Sequence, residues 1–179
     1  QHPDLVTSVV FTPDGKFAIT ACEDKLIRKW DLETGKIVLT TSYASYFIQT
    51  LAISNDGKDI LVGSDKGGAS GLIDVNTGEL VKEFLHNNDS AIYGVAFSPD
   101  GKYALTGGFD RTARLWDIQS GDLLRTYKHK DYVNAVSFSP DGKYVLTGSD
   151  DGFAHLFDTS YQDTLDFACS LLHRDLTTD

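Results

Sequence analysis

The sequence predicts an all-β fold: a β-propeller of four four-stranded repeats, the last one incomplete, followed by a short C-terminal helix. Three observations carry this expectation. One turn recurs as Pro13-Asp14-Gly15-Lys16, Asn55-Asp56-Gly57-Lys58, Pro99-Asp100-Gly101-Lys102 and Pro140-Asp141-Gly142-Lys143. Its Asp residues stand 42, 44 and 41 positions apart, and a fixed period in this range marks a stacked-repeat architecture. Short runs rich in β-branched and aromatic residues flank every turn, the pattern of antiparallel strands. An aromatic residue or Ile followed by Asp then returns in phase: Trp30-Asp31, Ile73-Asp74, Trp116-Asp117 and Phe157-Asp158.

Each element has its own sequence reason. The first run of each unit is nearly all apolar: Val6 to Phe11, Ile48 to Ile53, Ile92 to Phe97 and Val133 to Phe138. That composition predicts strands buried on both faces. The turn follows, where Pro presets φ and Gly supplies positive φ. The second runs are Phe17 to Thr20, Asp59 to Val62, Tyr103 to Thr106 and Tyr144 to Thr147. A polar or Gly-rich break leads to the third run, which ends at the aromatic-Asp or Ile-Asp pair. Turns at Thr34-Gly35, Thr77-Gly78 and Ser120-Gly121 lead to fourth runs at Lys36 to Thr40, Glu79 to Phe84 and Asp122 to Tyr127. Four short strands per repeat are the blades of a propeller. Unit four has no fourth run. After Asp158, Tyr161, Leu165, Ala168, Cys169 and Leu172 fall at helical spacing. Ser160 suits the N-cap of that helix, Asp163 its first turn, and His173 and Arg174 its far end.

These residues resemble the WD40-repeat family over about residues 1–158, with repeats at about 1–43, 44–85, 86–128 and 129–158 and a helical tail at 159–179. The Trp-Asp dipeptide, the Ser-Pro-Asp-Gly turn and an upstream His recur in register. In that family a His, a Ser or Thr, an Asp in a tight turn and the Trp form a hydrogen-bonded network inside the blade. The resemblance assigns this role to His2, Thr20, Asp24 and Trp30 in unit one, and to His86, Thr106, Asp110 and Trp116 in unit three. Unit four offers His129, Thr147 and Asp151, but Phe157 replaces Trp and carries no N–H donor. Unit two departs most: no His stands at the expected place, Val62 replaces the hydroxyl and Ile73 replaces Trp. Apolar packing is expected to hold it, with a longer Gly-rich loop at Lys66-Gly67-Gly68-Ala69. His155, on the third run of unit four, is expected at the surface or between blades.

Composition narrows the function. The net charge is −10 and the pI about 4.8. An acidic surface repels phosphate backbones, which argues against nucleic acid and anionic membranes as partners. No apolar stretch is long enough to span a membrane and no signal peptide is visible. Cys22 and Cys169, outside any dense cysteine framework, are expected as buried free thiols in a reducing, cytoplasmic compartment. No His, Cys and carboxylate set has zinc spacing, and the Asp-Gly pairs lack the twelve-residue calcium-loop pattern. No nucleophile elbow or phosphate loop occurs. The expectation is a protein without cofactor or metal, and not an enzyme.

The leading expectation is a protein-interaction scaffold with protein or peptide partners. In the family, partners dock where the first strand begins and where the loop between the second and third strands emerges. Carried over, those positions include Leu5, Thr7, Glu23, Phe47, Gln49, Ala91, Tyr93, Phe109, Tyr132, Asn134 and Asp150. Aromatics on a rigid rim are typical interface anchors, which singles out Phe47, Tyr93, Phe109 and Tyr132. Glu23 and Asp150 favour a peptide with apolar side chains and some positive charge. The tail resembles one that closes some bacterial WD-repeat proteins joined to kinase or nucleotide-hydrolysing modules. That gives a second expectation, a sensor or autoinhibitory module of a larger signalling protein. A channel-sited enzyme ranks third. Family propellers usually have seven or eight blades, so the chain is expected to belong to something larger. It is either the C-terminal portion of a longer propeller, the favoured reading, or half of an eight-bladed ring made by self-association.

Overall fold

The computed structural model describes residues 2–43, 47–86 and 90–159. They form fifteen strands in four antiparallel sheets, and no helix occurs among them. Sheet one holds β1 (Val6–Phe11), β2 (Phe17–Cys22), β3 (Leu26–Asp31) and β4 (Ile37–Ser42). Sheet two holds β5 (Ile48–Ile53), β6 (Asp59–Ser64), β7 (Ala69–Asp74) and β8 (Leu80–Leu85). Sheet three holds β9 (Ile92–Phe97), β10 (Tyr103–Gly108), β11 (Thr112–Asp117) and β12 (Leu123–Lys128). Sheet four holds β13 (Val133–Phe138), β14 (Tyr144–Ser149) and β15 (Ala154–Asp158). Strands pair in chain order within each sheet. The helix expected after Asp158 lies outside the described residues.

The recurring turn is built the same way four times. Thr12, Ser54, Ser98 and Ser139 donate their hydroxyls to Asp14, Asp56, Asp100 and Asp141 at 2.5–2.8 Å. Each Asp also accepts the backbone N–H of the Lys two residues on. The Gly between them has φ of +68° to +73°, a conformation that costs an L side chain energy. The turn residues therefore set the hairpin by local chemistry alone. A register shift recurs between the first and second strands of every blade, as at Val6/Ser8 and Ile48/Thr50. Such bulges raise local twist.

The sheets stack as blades, with β1 against β5, β5 against β9 and β9 against β13. Three apolar clusters fill the interfaces. Ile19 and Ile27 of blade one meet Ile48, Leu51, Ile60 and Ile73 of blade two. Leu61, Leu72 and Phe84 of blade two meet Ile92, Val95 and Trp116 of blade three. Leu105, Leu115 and Tyr127 of blade three meet Val133 and Val145 of blade four. The expectation of first strands buried on both faces needs correction at the ends. In β1, Val6, Val9 and Phe11 are exposed, because no blade covers that face among the described residues.

Candidate partner-binding face and blade networks

Unit three contains the full network. Trp116 Nε1 donates to Thr106 Oγ1 at 2.8 Å, and Thr106 Oγ1 lies 2.6 Å from His86 Nε2. His86 Nδ1 lies 3.1 Å from Asp110 Oδ2. A carboxylate only accepts, so Nδ1 carries the proton and Nε2 accepts from Thr106. Burial holds the His86 pKa below its usual value, against the opposing hydrogen bond and charge of Asp110. Arg114 Nη2 donates to the same Asp110 oxygen at 3.0 Å. Burial alone would raise the Asp110 pKa, but His86, Thr112 and Arg114 outweigh it and hold the carboxyl low.

Unit one uses the same residues differently. Trp30 donates to Thr20 at 2.9 Å, and Thr20 lies 3.1 Å from His2 Nε2. His2 Nδ1 instead lies 3.2 Å from Arg28 Nη1, and Arg28 bonds Asp24 at 2.5 Å. Arginine only donates, so His2 takes the opposite tautomer from His86. The expected His2–Asp24 link thus runs through Arg28.

Unit four departs further. His129 Nε2 lies 2.7 Å from Thr147 Oγ1, but its Nδ1 faces the Tyr127 carbonyl at 3.2 Å rather than Asp151. Asp151 pairs with His155 Nε2 at 3.0 Å. The expectation for His155 is therefore corrected: it is a half-buried network residue in the register of Arg28 and Arg114. Its ring meets His129 edge-on at 4.8 Å. Phe157 packs on Tyr127 at 4.8 Å in place of an indole hydrogen bond.

Unit two has a substitute that the sequence reading missed. Gly71 pairs opposite Val62, in the register of Arg28 and Arg114. A Cβ at Gly71 would lie 2.5 Å from the Tyr43 ring. Buried Tyr43 fills the space that Arg occupies elsewhere, and its hydroxyl donates to Glu83 at 2.8 Å. Tyr43 precedes Val62 by 19 residues, and His2 and His129 precede their Thr by 18. That spacing was the available signal. The apolar expectation for this blade otherwise stands on buried Leu61, Val62, Leu72 and Ile73.

The expected partner-facing residues lie on one edge. Four backbone bonds of 2.9 Å tie each loop residue to the start of its blade: Glu23 to Leu5, Asp65 to Phe47, Phe109 to Ala91 and Asp150 to Tyr132. On this edge three aromatics come together. Phe109 stacks on Tyr132 with ring centroids 3.7 Å apart and planes 17° apart. Tyr93 meets Phe109 edge-on at 6.5 Å. Arg111, at φ +63°, sets its guanidinium 5.9 Å from the Tyr132 ring. Asn134 donates to Asp150 beside them. Phe47 does not join this group; Lys25 lies over its ring at 5.4 Å. Glu23 stands in blade one, apart from the aromatic group, with its N–H bonded to the Leu5 carbonyl. A separate cleft of about 600 Å³ lies between β12 and β15, lined by Leu124–Lys128 and Leu156–Asp158. No group of three or more His, Cys, Asp or Glu side chains among the described residues is arranged to hold a metal ion.

The family model described as WD domain, G-beta repeat matches residues 1–31, 78–117 and 121–158. The chain belongs to the WD40-repeat family. The matched segments leave out residues 32–77, which hold β4, β5, β6 and β7, and both Tyr43 and Gly71 of this WD40 chain fall in that stretch. It is 33% identical over 123 residues to an uncharacterized WD repeat-containing protein of Synechocystis, covering 68% of this chain and 34% of that protein. It is 25% identical over 134 residues to the COMPASS component SWD3 of Saccharomyces cerevisiae, covering 71% and 42%. It is 27% identical over 134 residues to the guanine nucleotide-binding protein subunit beta of Solanum tuberosum, covering 70% and 35%. This WD40 chain thus spans well under half the length of these curated relatives.

Proposed function

We propose that this WD40 array is a non-catalytic protein-binding platform whose partner docks on the loop edge of blades three and four. The observation that carries the reading is the ring ladder of Tyr93, Phe109 and Tyr132. Tyr93 and Phe109 are exposed, yet each ring is held by a neighbour. Pre-ordered aromatics lose little rotamer freedom on binding, which suits them as anchors. The Asp150 carboxyl accepts a hydrogen bond from the Asn134 amide on the same edge. A peptide or protein segment bearing an apolar or aromatic side chain next to a basic one fits this chemistry. The names of two relatives, a COMPASS component and a G-protein beta subunit, are names of assembly parts and support a scaffold role. The Phe109→Ala, Tyr132→Ala double variant is expected to lose the partners that the wild-type chain retains in a quantitative pull-down. Equal recovery by a variant with unchanged circular dichroism and melting would remove this edge as the docking site.

A further inference from the structure

The loop between the second and third strands of each blade places a residue in the left-handed backbone region, and the blades fill that place differently. It is Lys25 at φ +70° in blade one, Gly68 at +60° in blade two, Arg111 at +63° in blade three and Gly152 at +86° in blade four. The Gly68 and Arg111 carbonyls accept the N–H of His86 and His129 respectively, which fixes their equivalence. Glycine adopts this conformation freely, whereas an L side chain is strained in it. Lys25 and Arg111 therefore stand against the preference of their own backbone, and a strained residue that persists points to a use for its side chain. Both cations also lie over an aromatic ring that opens the next blade: Lys25 over Phe47 at 5.4 Å and Arg111 over Tyr132 at 5.9 Å. Where the loop residue is Gly68, the equivalent ring is absent too, and Ala91 stands in its place.

Arg111 has all its donors left to give. Arg28 and Arg114 spend theirs on Asp24 and Asp110, and Arg125 donates to the Asp158 carbonyl. Arg111 is exposed, and its side chain makes no hydrogen bond or ion pair with any described residue. A guanidinium held over a ring keeps its five N–H groups in a planar fork that matches a carboxylate. Beside it, Phe109 and Tyr93 are 43% and 36% exposed and offer apolar surface. The Phe109–Tyr132 stack is closed at 3.7 Å, so no side chain inserts between those two rings. A second cation brought to Tyr132 would meet the charge of Arg111.

We infer that Arg111 determines the specificity of this edge: it selects a peptide segment whose Asp or Glu carboxylate pairs with the guanidinium while an adjacent apolar side chain covers Phe109 and Tyr93. The inference rests on the docking edge proposed above and adds an acidic residue to the partner's sequence. The pairing is charge-assisted and two-pronged, so it fixes direction as well as adding affinity. The rest of the surface sharpens the choice. The chain carries a net charge of −10, so an acidic segment is repelled over most of it and is accepted where Arg111 reverses the local sign.

Selection from a displayed random-peptide library tests this. The wild-type chain is expected to enrich peptides with Asp or Glu next to an aromatic or aliphatic residue. Arg111→Gly keeps the fold, because Gly68 and Gly152 already serve at this backbone position. By fluorescence anisotropy it is expected to bind the selected peptides about tenfold more weakly. Arg111→Glu is expected to turn the selection from acidic to basic peptides, a reversal that a purely structural arginine would not produce. Peptides that need Phe109 and Tyr132 but show no acidic preference, or bind Arg111→Gly as tightly as wild type, overturn the role of Arg111 and leave the docking edge intact. Peptides that bind the Phe109→Ala, Tyr132→Ala variant as tightly as wild type overturn the docking edge itself. A library that yields no binder overturns both.

Discussion

Trp116 donates to Thr106, Thr106 faces His86, and His86 donates to Asp110, so four buried polar side chains satisfy one another. Removing the indole donor leaves a lone pair of fully buried Thr106 without its partner. Trp116→Phe, which copies the natural state of Phe157, is expected to cost about 1 kcal/mol and lower the melting midpoint by about 2–4 °C. Differential scanning calorimetry checks it. The histidines add a pH dependence whose sign is fixed by burial. His2, His86 and His129 are all held below their usual pKa, first by desolvation. Below about pH 6.5 the unfolded chain takes up protons that the folded chain resists, so stability falls. It is fully present above that pH and declines as pH drops through the lowered folded values. Asp24 acts further down. Hydrogen bonds from Arg28 hold it at about 2, so its contribution is present above pH 3.8 and lost as pH falls toward 2. Melting curves between pH 8 and 5 are expected to show the histidine slope, and His86→Gln is expected to flatten it. An unchanged slope would place the proton uptake elsewhere.

Blade two shows how an element keeps its shape after losing its polar network. Tyr43 supplies volume where the Arg side chain lies in blade one, and Gly71 makes room for it. Gly71→Ala would bring a methyl to 2.5 Å from the ring and is expected to destabilise by about 1–3 kcal/mol through overpacking. Tyr43→Ala leaves a cavity instead, expected at about 3–5 kcal/mol by analogy with other large aromatic truncations. The double variant is expected to cost less than the sum, because the new methyl enters the space the ring vacates. Urea titrations of the four proteins give the coupling directly, and additive costs would separate the two residues. The strands and turns of this blade were legible in sequence, since Asn55-Asp56-Gly57-Lys58 keeps the local turn chemistry. The Tyr43–Gly71 exchange was not legible, because it depends on contact between residues 28 positions apart. The Asp24–Arg28, Asp110–Arg114 and Asp151–His155 pairs were legible only as a uniform spacing of four, because spacing alone does not show that the side chains meet across the turn.

At the scale of the molecule, stability is a property of neighbours. A stacked array gains energy from each blade and from each interface between blades. Among the described residues, blades two and three are covered on both faces, whereas blades one and four each have one face that no other described blade covers. Apolar first strands signalled four blades in sequence, but they could not report which blades have neighbours: Val6 to Phe11 reads like Ile92 to Phe97. The aromatic edge was legible as single positions through the repeat alignment, while the stacking of Phe109 on Tyr132 across two blades was not. Equivalent residues must therefore differ in energetic weight. Leu105→Ala deletes a fully buried side chain and is expected to cost about 2–5 kcal/mol. Leu146→Ala stands at the same blade position on an open face, so in the dilute single copy it is expected to cost less than about 1 kcal/mol. Hydrogen exchange extends the comparison to the backbone, since local opening follows the density of buried contacts. Amides of β6, β7, β10 and β11 are expected to exchange slowest, and those of β1, β14 and β15 well ahead of them. Uniform protection in a single dilute copy would mean that the four blades unfold as one unit despite their open ends.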